Sequence, residues 1–187
     1  MIMIDPGCER SEVLEKLTRA TAVLERSMDS RLIPKNGTRL AYAISGARDK
    51  NGVAEVKGGI IQQHGKILAA GPCAFGADEE IARIVLTVMK FDPLIHCVAT
   101  LRFSRNILNA IDSLFLECTS YDPAAEPPGI SSMDWGVASC CKQGVPDVCY
   151  DTGGKGKEGI VRLFGEDPVD VSNNIIMISN RIISIEL

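Results

Sequence analysis

The chain has 187 residues, a formal charge of −4 and 45% hydrophobic against 24% charged residues, a balance that gives a folded core and excludes a disordered polymer. Its acidic pI of about 5.3 argues against sequence-independent nucleic-acid binding, which needs a basic face. Aromatics are only 5%, so the core is to be built from Ile, Val, Leu and Ala.

Residues 1–10 read as an N-terminal extension, and 11–187 as a single domain. "SEVLEKLTRATAVLERSMD" sets Val13, Leu14, Leu17, Leu24 and Met28 on one helical stripe, with Ser11 as the expected N-cap. After "LIP" and Asn36-Gly37, "TRLAYAI" alternates as a strand. Three short apolar pieces follow, "VAEV", "GIIQQ" and "KILAA", separated as in hairpins by Gly58-Gly59 and by His64-Gly65.

"FGADEEIAR" reads as a helix start, with Asp78 as cap and Glu79 and Glu80 in the first turn. That helix is predicted to run to about Lys90 and to stop before Asp92-Pro93. "IHCVATLRF" is a strand apolar enough for burial on both faces, "SRNILNAIDSL" a capped helix and "FLECTSY" a strand. The loop "DPAAEPPG" leads to a helix in "SMDWGVASCCKQG", with Gly144 near its C-cap. "PDVCYD" and "IVRLFG" are strands flanking a Gly/Lys segment, and Asp167-Pro168 opens the last helix. This alternation implies a mixed sheet covered by helices on both sides.

No run of about 18 apolar residues could span a membrane, and "MIMIDPGCER" lacks the layout of a secretory signal. Seven cysteines without a C-x-x-C fit a reduced cytoplasm better than a disulfide framework or structural zinc. His64 and His96 are dispersed, so no histidine-built metal site is expected.

Two stretches could hold an anion. In "DTGGKGKEG", Gly153, Gly154 and Gly156 could let backbone N–H groups converge on an oxyanion, with Lys155 and Lys157 adding charge. The spacing is not that of a P-loop, and a solvated hairpin turn is the plainer reading. Arg102 ends the buried strand, where a guanidinium needs an anionic partner, either a ligand or an ordinary ion pair. Trp135 reads as a core anchor, although a pyrimidine ligand would need such a surface.

Taken together, "LIPKNGTRLAYAI", "FGADEEIARIVLTVMKFDP", "TLRF", "MDWG" and "VPDVCYDTGGKGKEGIVRLFGEDPV" resemble, in order and spacing, the archaeal ThiN-type thiamine-phosphate synthase domain. The resemblance runs from about Ser11 to about Ile178. It implies a three-layer α/β/α fold with a mixed sheet, like the class II aldolases. In the family the domain usually follows a pyrimidine kinase or a helix-turn-helix domain, and members of the second kind sense a ligand. The family reaction joins hydroxymethylpyrimidine diphosphate to a thiazole phosphate and releases pyrophosphate. Cations or directed N–H groups must stabilise that leaving group.

The family's Arg in P-G-R-I falls on Gly59, and its His in F-G-A-S-x-H-V-A-R falls on Glu80. Its N-I-R-Y becomes Thr100-Leu101-Arg102-Phe103, which keeps the arginine, and its G-x-x-G-K-E matches Gly153 to Glu158. The resemblance therefore implies a domain that binds thiamine phosphate or a phosphorylated precursor without efficient catalysis. Arg102, Gly153, Gly154, Lys155, Gly156, Lys157, Lys57 and Gly76 are its candidate contacts. An active synthase using Lys57, Arg102 and Lys157 is the competing expectation. A metal-dependent aldolase is disfavoured, because two dispersed histidines do not make its zinc site. No resident cofactor is expected, magnesium would enter only with a diphosphate ligand, and a homo-oligomer without membrane or direct nucleic-acid contacts completes the expectation.

Overall fold

The computed structural model describes residues 5–129 and 132–185. In chain order these form α1 (Pro6–Ser27), β1 (Leu40–Ala43), β2 (Val53–Val56), β3 (Ile60–Gln63), β4 (Lys66–Ala69), β5 (Cys73–Phe75) and α2 (Glu79–Phe91). Then come β6 (Cys97–Arg102), α3 (Arg105–Ser113), β7 (Cys118–Ser120), α4 (Trp135–Cys140), β8 (Val148–Tyr150), β9 (Ile160–Gly165) and α5 (Pro168–Ile185).

Seven strands make one sheet in the order β5-β2-β1-β6-β9-β8-β7. Only β7 and β8 run parallel, so the sheet is mixed as expected. Side chains alternate across it. Leu40, Tyr42, Ala99, Leu101, Val161 and Leu163 join α1, α3 and α5 in one core. Ala41, Ala43, Val53, Val98 and Phe164 join α2 and α4 in the other. The result is the three-layer α/β/α architecture. Leu17, Leu101 and Ile175 are fully buried, each side chain contributing roughly 1.5–3 kcal/mol.

Three local expectations change. The first helix starts at Pro6, not Ser11, because Asp5 accepts the Gly7 N–H at 3.1 Å and proline suits the first turn. Ser11 lies inside it and donates to the Gly7 carbonyl. Glu9 accepts the Ser45 N–H, and Arg10 lies over the Phe75 ring and donates to the Asn51 carbonyl. That first turn is therefore tied to the sheet edge.

Second, β2 and β3 do not form a hairpin. Gly58 and Gly59, with φ of +77° and +78°, turn the chain off the main sheet. β3 and β4 then form a separate two-stranded sheet through the His64-Gly65 turn, with Ile60 of β3 bridged to Thr38, while β2 pairs with β1 and with β5, which the sequence reading lacked. Third, α4 ends at Cys140, and Gly144 lies beyond its C-cap Cys141. Among the described residues no helix is long and apolar enough to cross a membrane.

Candidate functional site

Strand register builds the site at one end of the sheet. Arg39 immediately precedes β1, and its N–H donates to Thr100 Oγ1 at 2.8 Å, while the Thr100 N–H returns to the Arg39 carbonyl at 2.9 Å. Thr100 on β6 is in turn the direct partner of Arg162 on β9. Three adjacent chain segments thus set Arg39, Thr100 and Arg162 side by side. All three line one cleft of about 490 Å³.

Each arginine is held by a buried carboxylate. Arg162 Nη1 donates to Asp151 Oδ2 at 3.0 Å, and both residues are over nine-tenths buried. Asp151 also accepts the Tyr121 hydroxyl and the Gly153 N–H. Burial opposes the Arg162 charge, but Tyr121 and the Asp151 carboxylate outweigh it and push its pKa up. Arg39 Nη2 donates to Glu55 Oε2 at 2.5 Å, and Glu55 also accepts the Asp78 N–H and lies 3.5 Å from Lys57 Nζ. Neither Arg39 Nε nor Arg162 Nε has a hydrogen-bond partner among the described residues, although both atoms are buried. Both residues line the cleft, and a buried donor without a partner is the exception in a folded protein.

The rest of the cleft comes from three places. The first turns of α2 bring Glu80, Ile81 and Ile84, the loop before β1 brings Lys35 and Asn36, and the turn before β9 brings Gly156, Lys157 and Glu158. Lys35, Arg39, Lys157 and Arg162 line the cleft with Glu80 and Glu158, and the two arginine charges are offset by Glu55 and Asp151 behind them.

The turn itself has a structural explanation. Lys155 and Gly156 both have positive φ, and Gly154 and Lys157 exchange backbone hydrogen bonds at 2.9 and 3.1 Å. This is a two-residue hairpin turn. The N–H groups of Gly153, Gly154 and Lys157 are thereby bonded within the segment. Gly156 and Lys157 reach the cleft, and Gly153, Gly154 and Lys155 shape the turn behind them.

The other sequence candidates lie elsewhere. Arg102 is bonded to Glu158 and lines a second cavity of about 330 Å³ with Arg31, Lys35 and Gln62. Glu158 also accepts the Lys35 N–H, so it clasps the two cavities along their shared wall. Lys57 and Gly76 meet each other, the Lys57 ammonium donating to the Gly76 carbonyl, and neither lines the cleft or the second cavity. Lys57, Arg102 and Lys157 are therefore not gathered at one point. Arg39 and Arg162 were missed. Their signal was a charged residue interrupting or abutting an apolar strand, as in "TRLAYAI" and "IVRLFG".

Gly59 lies beside this site. A Cβ there would come within 2.9 Å of the Thr38 carbonyl oxygen and 3.6 Å of Arg39 Cδ. With φ at +78°, Gly59→Arg is expected to cost about 2 kcal/mol and lower Tm by roughly 5 °C. Thermal denaturation checks this, and an unchanged Tm would show that the Gly58-Gly59 backbone relaxes freely.

Comparison with known proteins agrees with this architecture. Residues 16–177 match the family described as thiamine-phosphate synthase ThiN. The chain belongs to the ThiN family. Among curated relatives, the bifunctional thiamine biosynthesis protein ThiDN of Methanocaldococcus jannaschii is 33% identical over 90% of this chain. The match spans only 41% of that protein's length. Thiamine-phosphate synthase ThiN of Methanothermobacter thermautotrophicus is 27% identical, with 90% of this chain and 93% of that protein covered. The crystal structure of the C-terminal domain of protein MJ0236 superposes with a TM-score of 0.87 at 31% identity, covering 94% of this chain and 98% of that one. A sugar-phosphate aldolase from Thermotoga maritima, 12% identical with a TM-score of 0.50 over 95% of this chain and 94% of its own, shares the fold of this ThiN-family chain. ThiN membership relates the chain to thiamine biosynthesis.

Proposed function

We propose that the cleft binds thiamine phosphate, or one of its phosphorylated pyrimidine or thiazole precursors, and turns precursors over slowly. The observation that carries this is the pair of unbonded arginine Nε atoms, from Arg39 and Arg162, in one cleft with Lys157. A phosphate oxygen accepting from both would satisfy them. Ile81, Ile84 and Ile160 supply an apolar surface for a ring.

Slow turnover follows from the groups that surround the anion. Departure of a diphosphate from the pyrimidine CH₂ needs positive charge that grows in importance as the bond breaks. At the position where the resemblance implies a histidine, Glu80 brings a carboxylate to the cleft. Gly59 brings no side chain where an arginine is implied. A second reading, an active synthase, has one observation in its favour: the Arg39 stem passes beside Gly59. Its guanidinium could then serve in place of the implied one.

Calorimetry with thiamine monophosphate and a coupled test of synthesis separate these readings. Binding tighter than about 1 mM is expected, with thiamine phosphate formed from hydroxymethylpyrimidine diphosphate and thiazole phosphate far more slowly than by an active relative. No heat at about 1 mM ligand would overturn the binding reading, and turnover equal to the relative's would overturn the slow one. Glu80→Gln is expected to tighten thiamine monophosphate binding about 2–5-fold, the scale of one exposed like-charge contact. Unchanged or weaker binding would place the phosphate away from α2.

A further inference from the structure

We propose that Cys140 and Cys149 form a modification site, a dithiol that closes to a disulfide under a peroxide-class oxidant. Cys140 ends α4, and Cys149 sits in the middle of β8 facing the same core layer. Their sulfurs lie 2.7 Å apart, within about 0.7 Å of a disulfide bond length. The two sulfurs are therefore in direct contact.

The other thiols are placed differently. Cys97 lies in the core on the opposite face of the sheet, Cys8 and Cys118 are exposed, and Cys73 sits 3.8 Å from Thr21 Oγ1. Cys141 is the chain neighbour of Cys140, and burial pushes its thiol up to about 11. The fold thus singles out one pair among the described residues.

The two sulfurs are also chemically unequal. The Cys149 thiol donates to Cys140, which lowers the Cys140 pKa despite burial, and Ser139 adds to the effect. The same contact together with burial raises Cys149. Cys140, 6% exposed where Cys149 is wholly buried, is accordingly the attacking sulfur for an oxidant as small as hydrogen peroxide. Its thiolate bonds to one peroxide oxygen, the O–O bond breaks, and hydroxide leaves to become water with the thiol's proton. The Cys149 sulfur then displaces the sulfenic oxygen, and its proton leaves with that oxygen as a second water. Two thiols lose two electrons and two protons, and one peroxide becomes two waters.

The bridge would fasten α4 to the strand beside Arg162, since Cys149 is the register partner of that residue. Closing this short loop is expected to raise Tm by about 5 °C.

The native chain tests this without any ligand, so the outcome is independent of how the cleft is read. The reduced protein is exposed to equimolar hydrogen peroxide, denatured, alkylated and mapped by tandem mass spectrometry. Expected are a Cys140–Cys149 linkage, five alkylated cysteines out of seven, and a Tm gain that dithiothreitol reverses. Seven alkylated thiols would overturn the proposal, as would a Cys140–Cys141 linkage or bridging through Cys8 or Cys118. Cys140→Ser is expected to leave Cys149 alkylated after the same treatment. Should that variant not fold, the map of the native chain decides alone.

Discussion

Arg162→Ala is expected to lower stability by about 3–5 kcal/mol and to remove measurable affinity for thiamine monophosphate. The stability loss arises because Asp151, itself buried, loses its cation, and an uncompensated buried carboxylate costs about that much. The affinity loss arises because Arg162 Nε is one of the two unbonded donors of the cleft. Arg162→Leu with Asp151→Asn separates the two effects. The asparagine still accepts from Gly153 and leaves no buried charge, so stability should largely return while affinity should not. Urea denaturation and calorimetry on both variants check this. A double variant that binds as the parent does would remove Arg162 from the ligand site.

Arg39→Ala should act mainly on the ligand. Glu55 keeps the Asp78 N–H and Lys57 when Arg39 is lost, so its charge is not stranded as that of Asp151 is. Loss of one charge-assisted contact corresponds to about 1.5–3 kcal/mol, which is about 10–100-fold in Kd for thiamine monophosphate. The change in Tm should be smaller than for Arg162→Ala. Arg39→Lys should recover only part of the affinity, because an ammonium cannot present Nε while its other groups hold Glu55. Full recovery with lysine would mean that charge alone matters at this position.

The sequence revealed different parts of the molecule for different reasons. Local chemistry announced α2, whose Asp78 cap accepts the Glu80 N–H, and α3, capped by Ser104. Apolar runs announced β6 and β9. Pairing was harder to read. Whether β2 continues into a hairpin with β3 depends on the φ of two glycines and on the partners β1 and β5, which lie elsewhere in the chain. The site was only half legible for the same reason. Lys157, Gly156 and Glu80 stand in segments with visible motifs, but Arg39 and Arg162 become neighbours only through the β1-β6-β9 register. Reasoning applied to Arg102, that a guanidinium in an apolar strand needs an anion, extends to Arg162 in "IVRLFG" and to Glu55 in "VAEV". It would have found them.

That the two arginines are far apart in sequence has a bearing on how the protein assembles. β1 and β9 lie far apart in sequence, and contacts of such long sequence separation are slow to form in folding. No fragment ending before β9 carries both donors. A nascent or partly unfolded chain would therefore have little grip on the ligand, which would act on the finished fold alone. Bound ligand should then raise the global unfolding free energy by mass action. Slowed hydrogen exchange would accordingly extend to strands far from the cleft.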